Sequence, residues 1–458
     1  MNLNQPVQIK LFYNDFVTPI LVPDSIIESI QIKQDYLNPT TNFSVVLVGE
    51  NSIQNYTTPT TLDIRAKIYI NDYPICMGYL SDTHKSSSKS SGNIITYHFK
   101  SMCGILEKMK IQPSVSFTGQ ETLEQITDAV ISTSVAPFLP NFVFNFVDDS
   151  SQISYRTAQS VSTFASTHRL KHQNPLKDIQ PTAGESVYSF LQKLYHRAGC
   201  HLRDVCSAKT GLPIFVVDQP QLPQSLDFYG DIIINKKQGQ ISTTLVTDVQ
   251  ETIKNEIPAY LLGWSHSFGN DMSSIFKSSP IKALIINPLF KTNPTLIANL
   301  SNILLQNFAP TSGPPSPTAV ASAVSDLLKP QPNDSFINPF RTKFCSTLIF
   351  PDYKYESDCT TQEQLGNKIT SKVNLEIYSG YSLEYSLVNF YNNPSNKISF
   401  YYPDQNVNII DPHTFQGGDF TVYQMWVASV DTSFSKSSGL VQKVNCRIPG
   451  TLQFEEEI

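Results

Sequence analysis

Apolar and polar positions alternate with period two through roughly the first hundred residues, the pattern of strands with one face buried. Val7, Ile9, Leu11 and Tyr13 alternate with Gln8, Lys10 and Phe12, and Phe43 to Val48, Asp63 to Ile70, Ile75 to Leu80 and Ile94 to Phe99 continue the series. Asn71-Asp72 has the composition of a hairpin turn. The Ser/Lys-rich stretch from Lys85 to Gly92 reads as a mobile hairpin tip.

The period then changes to that of helices. Leu123, Ile126, Val130 and Ile131 share one helical face, behind Thr118-Gly119-Gln120-Glu121, which has capping-box spacing. Thr182-Ala183-Gly184-Glu185 repeats that spacing ahead of a second stripe, Val187, Phe190, Leu191, Leu194 and Ala198, with Gly199 as the stop. Cys200-His201-Leu202 and Leu212 to Val217 bracket Lys209-Thr210-Gly211 as strand, turn and strand. From about residue 223 the pattern is β again, with Ile232 to Ile234, Ile257 to Trp264, Lys372 to Tyr378, Phe420 to Val430 and Leu440 to Arg447 as expected strands. A break from Pro288 to Pro339 centres on Pro310 to Pro317, where proline removes donors and fixes φ; Leu296 to Leu305 and Val320 to Leu328 flank it as short helices.

The expected fold is mainly β with small α/β modules. Residues 1–106 form a β-barrel-like domain, 107–175 and 176–222 two small α/β modules, and 223–458 a second β-barrel-like domain with a proline-rich insertion at about 290–345. The two β regions share a detail. Ser81-Asp82-Thr83, Lys89-Ser90-Ser91-Gly92, a strand and Cys103-Gly104-Ile105-Leu106 in the first match Val430-Asp431-Thr432, Lys436-Ser437-Ser438-Gly439, a strand, Cys446 and Gly450-Thr451-Leu452 in the second. This points to related domains flanking the modules. Three copies of such a chain would present six quasi-equivalent units in a ring.

Composition narrows the function. With 40% hydrophobic residues the chain builds cores, while only 16% charged residues and a net charge of −6 give no basic stripe for gripping nucleic acid. The amino terminus lacks a basic segment followed by an apolar one, and no apolar run reaches the ~20 residues of a membrane span. Seven scattered cysteines have no disulfide-framework spacing and read as reduced thiols.

No phosphate loop, zinc-protease pair or serine elbow occurs. His196, Cys200, His201 and Cys206 are the best metal candidates, but their spacing is not a recognised pair of pairs, and helix-end and core roles are the expectation. His168 and His172, beside Arg169 and Lys171, read as a solvated basic stretch, Asp148-Asp149 as a turn, and Glu455 to Glu457 as a charged tail. Trp264 and Trp426 are expected in core or subunit packing rather than on sugars. No catalytic, cofactor-binding or metal residue is therefore assigned.

Four segments carry a family resemblance: Ile68-Tyr69-Ile70-Asn71 to Cys76-Met77-Gly78-Tyr79-Leu80; Phe117 to Leu123 with its helix; Ile179-Gln180-Pro181-Thr182-Ala183-Gly184-Glu185-Ser186-Val187 through Ala198-Gly199 and the Gly211 hairpin; and Tyr401-Tyr402-Pro403-Asp404 through Val407 and Ile409 to Ile448-Pro449-Gly450. In this order they resemble the baseplate hub of phage Mu-type contractile tails, related to the VgrG-like hub family. The resemblance implies a homotrimeric ring with a central channel in a virion tail baseplate, made in a bacterial cytoplasm. Its partners would be the tail tube or a tube initiator, the central spike, wedge proteins and the tape-measure protein, with DNA passing unbound and no stable membrane insertion. The insertion near 290–345 departs from the compact family pattern. The competing readings are a cell-wall-degrading or glycan-binding tail-tip protein, whose paired carboxylates need no linear motif, and the equivalent hub of a non-contractile tail or non-viral injection system.

Overall fold

The structure is a computed structural model of the 458-residue chain. It describes residues 7–13, 19–38, 40–49, 64–70, 73–88, 92–139, 143–145, 166–167, 169, 179–206, 213–218, 228–233, 245–266, 280–308, 315–331, 334–344, 349–356, 359, 361–388, 401–411 and 421–452.

In chain order, the first β region comprises β1 (Val7–Tyr13), β2 (Pro19–Leu21), β3 (Ile27–Asp35), β4 (Asn42–Val48), β5 (Ile64–Ile70), β6 (Tyr73–Ser88) and β7 (Gly92–Lys100). Next come α1 (Cys103–Lys108), α2 (Leu123–Ser134), β8 (Val143–Asn145), α3 (Val187–Arg197), β9 (His201–Cys206) and β10 (Pro213–Asp218). The rest is β11 (Phe228–Ile233), β12 (Leu245–Ile253), β13 (Tyr260–His266), β14 (Pro280–Ile286), α4 (Pro294–Phe308), α5 (Pro317–Leu328), α6 (Asp334–Arg341), β15 (Pro351–Tyr355), α7 (Gln362–Gly380), β16 (Tyr381–Val388), β17 (Asn406–Asp411), β18 (Thr421–Ser435) and β19 (Gly439–Arg447). The mainly β character read from the sequence is what the chain shows. No helix among the described residues is long and apolar enough to cross a membrane.

The two β regions are hydrogen-bonded into one thirteen-stranded sheet. Its order is β12-β16-β19-β18-β3-β4-β7-β6-β5-β1-β2, with β17 beside β18 and β11 beside β17. The seam is antiparallel, from Ser429 opposite Asp35 to Ser435 opposite Ser29. Alternation sends Ile30, Ile32, Phe43, Val45, Tyr97, Phe99, Val430, Val444, Leu383 and Tyr385 into a single apolar core that both regions share.

The internal duplication is visible in the pairing register. In the first region Leu80 faces Phe99, a bulge skips Ser81, and Asp82 faces His98. In the second Val427 faces Cys446, a bulge skips Ala428, and Ser429 faces Asn445. Gly92 and Gly439 close the two hairpins, both with φ near +70°, a conformation only glycine adopts freely. The matched tip and bulge make Asp82 equivalent to Ser429, so the Asp-Thr pairs aligned from sequence are out of step by two residues. Cys103 and Cys446 are likewise not equivalent, since one opens α1 and the other lies inside β19. The expected mobile tip is shorter than its composition suggests: β6 continues through Ser88, and Lys89 to Ser91 lie outside the described residues.

The stretches 107–175 and 176–222 meet in one three-stranded sheet, β8-β10-β9, and one core formed by α1, α2 and α3. Both helix caps differ from expectation. Thr122, not Thr118, accepts from Gln125 and completes the capping box of α2, and Ser186, not Thr182, caps α3. Glu121 instead gathers the N–H groups of Thr118, Gly119 and Gln120, and Glu185 accepts from the N–H and the hydroxyl of Thr182. Burial would raise the Glu121 carboxyl, but these donors outweigh it and hold the pKa at about 2.

A further three-stranded sheet, β14-β13-β15, packs against α7, with α4, α5 and α6 beside it. Here Lys372 to Tyr378, expected as a strand, is the middle of α7. The alternation of Val373, Leu375 and Ile377 is misleading: Leu365, Ile369, Val373 and Ile377 are the buried helical stripe, and Leu375 is exposed. Thr361 and Gln364 form the capping box that starts this helix.

Candidate functional site

The face of the large sheet opposite the core is polar and runs unbroken across the seam. One row of cross-strand neighbours reads Lys443, Asp431, Lys33, Asn42 and Lys100; the next reads Val441, Ser433, Gln31, Ser44, His98 and Asp82. Cations and anions interleave instead of clustering. Lys443 Nζ lies 2.7 Å from Glu384 Oε2, and Asn445 Nδ2 donates to Glu384 Oε1 at 2.8 Å. The Lys443 hydrogen bond depresses the Glu384 pKa, and the same contact raises that of Lys443. Burial raises the Asp431 pKa, opposed by Lys33 and Lys443. Exposed pairs of this kind add at most about 1 kcal/mol each to stability. Their chemical effect is a hydroxyl-, amide- and ion-pair-covered surface with little net field.

Behind the seam an aromatic pillar joins three parts of the chain. Tyr36, just past β3, stacks on His201 of β9 at 4.7 Å and meets Trp426 of β18 edge-on at 5.1 Å. Tyr378 of α7 reaches Trp426 at 6.2 Å, and Arg447 lies over the Tyr378 ring. Trp426 Nε1 donates to Asp404 Oδ1 at 3.0 Å. Trp426 is thus a buried packing residue, as expected, and Trp264 lies 6.1 Å from Tyr355.

Of the described candidates, His196 and His201 come together on Gln192 and Cys200 turns elsewhere. Gln192 Nε2 bonds His196 Nε2 at 2.6 Å and His201 Nδ1, the two imidazoles are 3.1 Å apart, and Leu202 N–H donates to Gln192 Oε1. Burial depresses the His196 pKa to about 4, so the ring is neutral near pH 7. Cys200 turns to the Ala198 carbonyl within the apolar core. Among the described residues no three His, Cys, Asp or Glu side chains are placed to hold a metal ion. The side chain of Cys206 and the residues His168, His172, Asp148, Asp149 and Glu455 to Glu457 lie outside the described set. The described cysteines Cys76, Cys103, Cys200, Cys359 and Cys446 are all buried and form no disulfide among the described residues.

Sequence reasoning missed a buried ionic cluster in the insertion. Lys291 Nζ lies 3.3 Å and Arg341 Nη2 3.4 Å from Asp334 Oδ2, at the wall of a cavity of about 540 Å³ between β14, α5, α6 and α7. Asp334 and Arg341 sit at the two ends of α6, but Lys291 lies 43 residues before Asp334, and the three carry no motif.

No protein-family model and no curated protein matches the sequence. Solved structures do match. A tail protein from Neisseria meningitidis MC58 superposes with a TM-score of 0.58 at 12% identity, covering 98% of this chain and 99% of that one. The tail protein of prophage MuSo2 from Shewanella oneidensis gives a TM-score of 0.58 at 13% identity, covering 98% and 99%. A weaker match, with a TM-score of 0.43 at 9% identity and 96% and 76% coverage, is an E. coli component of the type VI secretion system. Along nearly its whole length, therefore, the chain has the fold of the two tail proteins from Neisseria and Shewanella.

Proposed function

We propose that the chain is a structural, non-catalytic hub of a phage-type tail. Three copies form a ring around a central channel that joins the tail tube to the central spike and anchors wedge proteins outside. The carrying observation is the polar face that continues across the seam between two equivalent β regions, in a chain with a tail-protein fold. Lining a passage, such a face would let DNA or a tape-measure protein slide by, since interleaved charges give neither a phosphate grip nor a strong repulsive field.

End-on single-particle electron microscopy of the purified chain, alone and with its spike, tests this. A threefold ring with an open centre and six similar lobes is expected. A closed particle without a passage, or a muralytic activity lost with one Asp or Glu substitution, would replace this reading.

A further inference from the structure

The seam inside the chain implies a seam between chains. β18 is bordered by β19 on one side and by β3 of the other region on the other. Its equivalent, β6, is bordered by β7, but beyond Leu80 its outer half has no second paired strand among the described residues, because β5 pairs only as far as Tyr79. The equivalent of β3 is β12. β3 pairs with β4 and β4 with β7, as β12 pairs with β16 and β16 with β19, and Phe43 opposite Phe99 corresponds to Leu383 opposite Cys446. β12 ends the sheet, with its outer edge unpaired among the described residues. Each chain thus holds one joined pair of edges and one unjoined edge of each kind.

We propose that β12 of one copy pairs antiparallel with the outer half of β6 of a second copy, in the register of the internal seam. Ser429 opposite Asp35, Thr432 opposite Ile32 and Ser433 opposite Gln31 translate into Asp82 opposite Lys254, Lys85 opposite Glu251 and Ser86 opposite Gln250. Charge played no part in fixing this register, yet it sets two acids opposite two lysines; within its own chain Glu251 also accepts from Lys343 and Tyr381. A slip of one residue either way loses both pairs, placing Asp82 against Ile253 or Asn255 and Lys85 against Gln250 or Thr252. Asp82, Lys85 and Ser86 on one edge and Gln250, Glu251 and Lys254 on the other are exposed and polar, which guards an unpaired edge against wrong partners until the right one arrives. The contact is head-to-tail, so it repeats from copy to copy and makes a ring where the rotation between copies closes. That three copies close it rests on the hub reading; the contact itself does not.

A Ser86→Cys/Gln250→Cys variant tests the register, since cross-strand Cβ atoms about 4.5–5.5 Å apart bring the sulfurs within bonding reach. Both positions are exposed, so folding is checked simply by matching the thermal unfolding of the unmodified chain. Under mild oxidation an intermolecular 86–250 disulfide is expected, identified by peptide mass, with at least tenfold less product from Ser86→Cys/Thr252→Cys. Asp82→Lys should lower the cross-linking at least tenfold, and adding Lys254→Asp should restore it. Cross-linked strings that never close would support the contact and sink the threefold ring. Rings that do not cross-link at 86–250, cross-linking favouring the 86–252 pair, or no cross-linking at all would overturn the contact.

Discussion

The long hairpin of the second β region is flanked by strands on both sides along its outer half, whereas the matching half of the first hairpin is flanked on its β7 side alone among the described residues. Both ribbons have the same tip, bulge and register. They differ in the side chains that point toward the core. Val430, Thr432, Phe434 and Leu440 are buried, and their equivalents are Thr83, Lys85, Ser87 and Asn93. Turn chemistry and bulge position make the ribbon; the inward residues decide whether it is covered. A duplicated piece of chain can therefore keep its backbone while one copy becomes core and the other becomes edge.

The largest effect should come from forcing the two copies to answer the same substitution. Val430→Asp buries an unpaired carboxylate and is expected to cost more than about 3 kcal/mol in urea unfolding, while Thr83→Asp should stay within about 0.5 kcal/mol. Equal costs would erase the distinction. Next is acid. Tyr36 ties the first region to the α/β module through His201, which touches His196. Burial depresses His196 from 6.5 to about 4, so its contribution is complete above pH 6.5 and is lost as pH falls through about 4, by at most about 3 kcal/mol. A pH series of thermal unfolding should show this slope, and His196→Gln should flatten it.

Gly78→Ala separates the copies at the hairpin base. A Cβ there collides with the Lys100 carbonyl, whereas the equivalent Met425 is accommodated and fully buried. A loss of about 2 kcal/mol is expected, with faster amide exchange confined to β5, β6 and β7. The smallest effect belongs to Thr361→Ala, which removes the cap of α7, a helix that follows β15 in the second region. About 1 kcal/mol should be lost there with the first region's exchange unchanged.

Much of this was legible in the sequence because it is local. Strands β4, β5, β7, β18 and β19 announce themselves by alternation, and α2 and α3 by their stripes. The turns at Glu121 and Glu185 were found, but each carboxylate serves the loop while the next residue caps the helix, a choice set by backbone direction. α7 was misread because Val373, Leu375 and Ile377 satisfy a period of two over a window too short to show Leu365 and Ile369. The seam was not legible. The residues of β3 say that it is a strand, but its partner lies almost four hundred residues away, and only register and shape bring them together. The open polar face shares that fate, because its rows interleave strands from both ends of the chain.

The seam also has a mechanical meaning. Two domains on a linker would swing independently, and a push on one would be spent in the hinge. Here a ladder from Ser429–Asp35 to Ser435–Ser29 locks the regions edge to edge, so sliding one past the other along the strands loads the whole row of hydrogen bonds at once rather than peeling them in turn. The chain is built to deform as a plate, bending and twisting as one piece, and to hand a force from one region to the other with little lost between them.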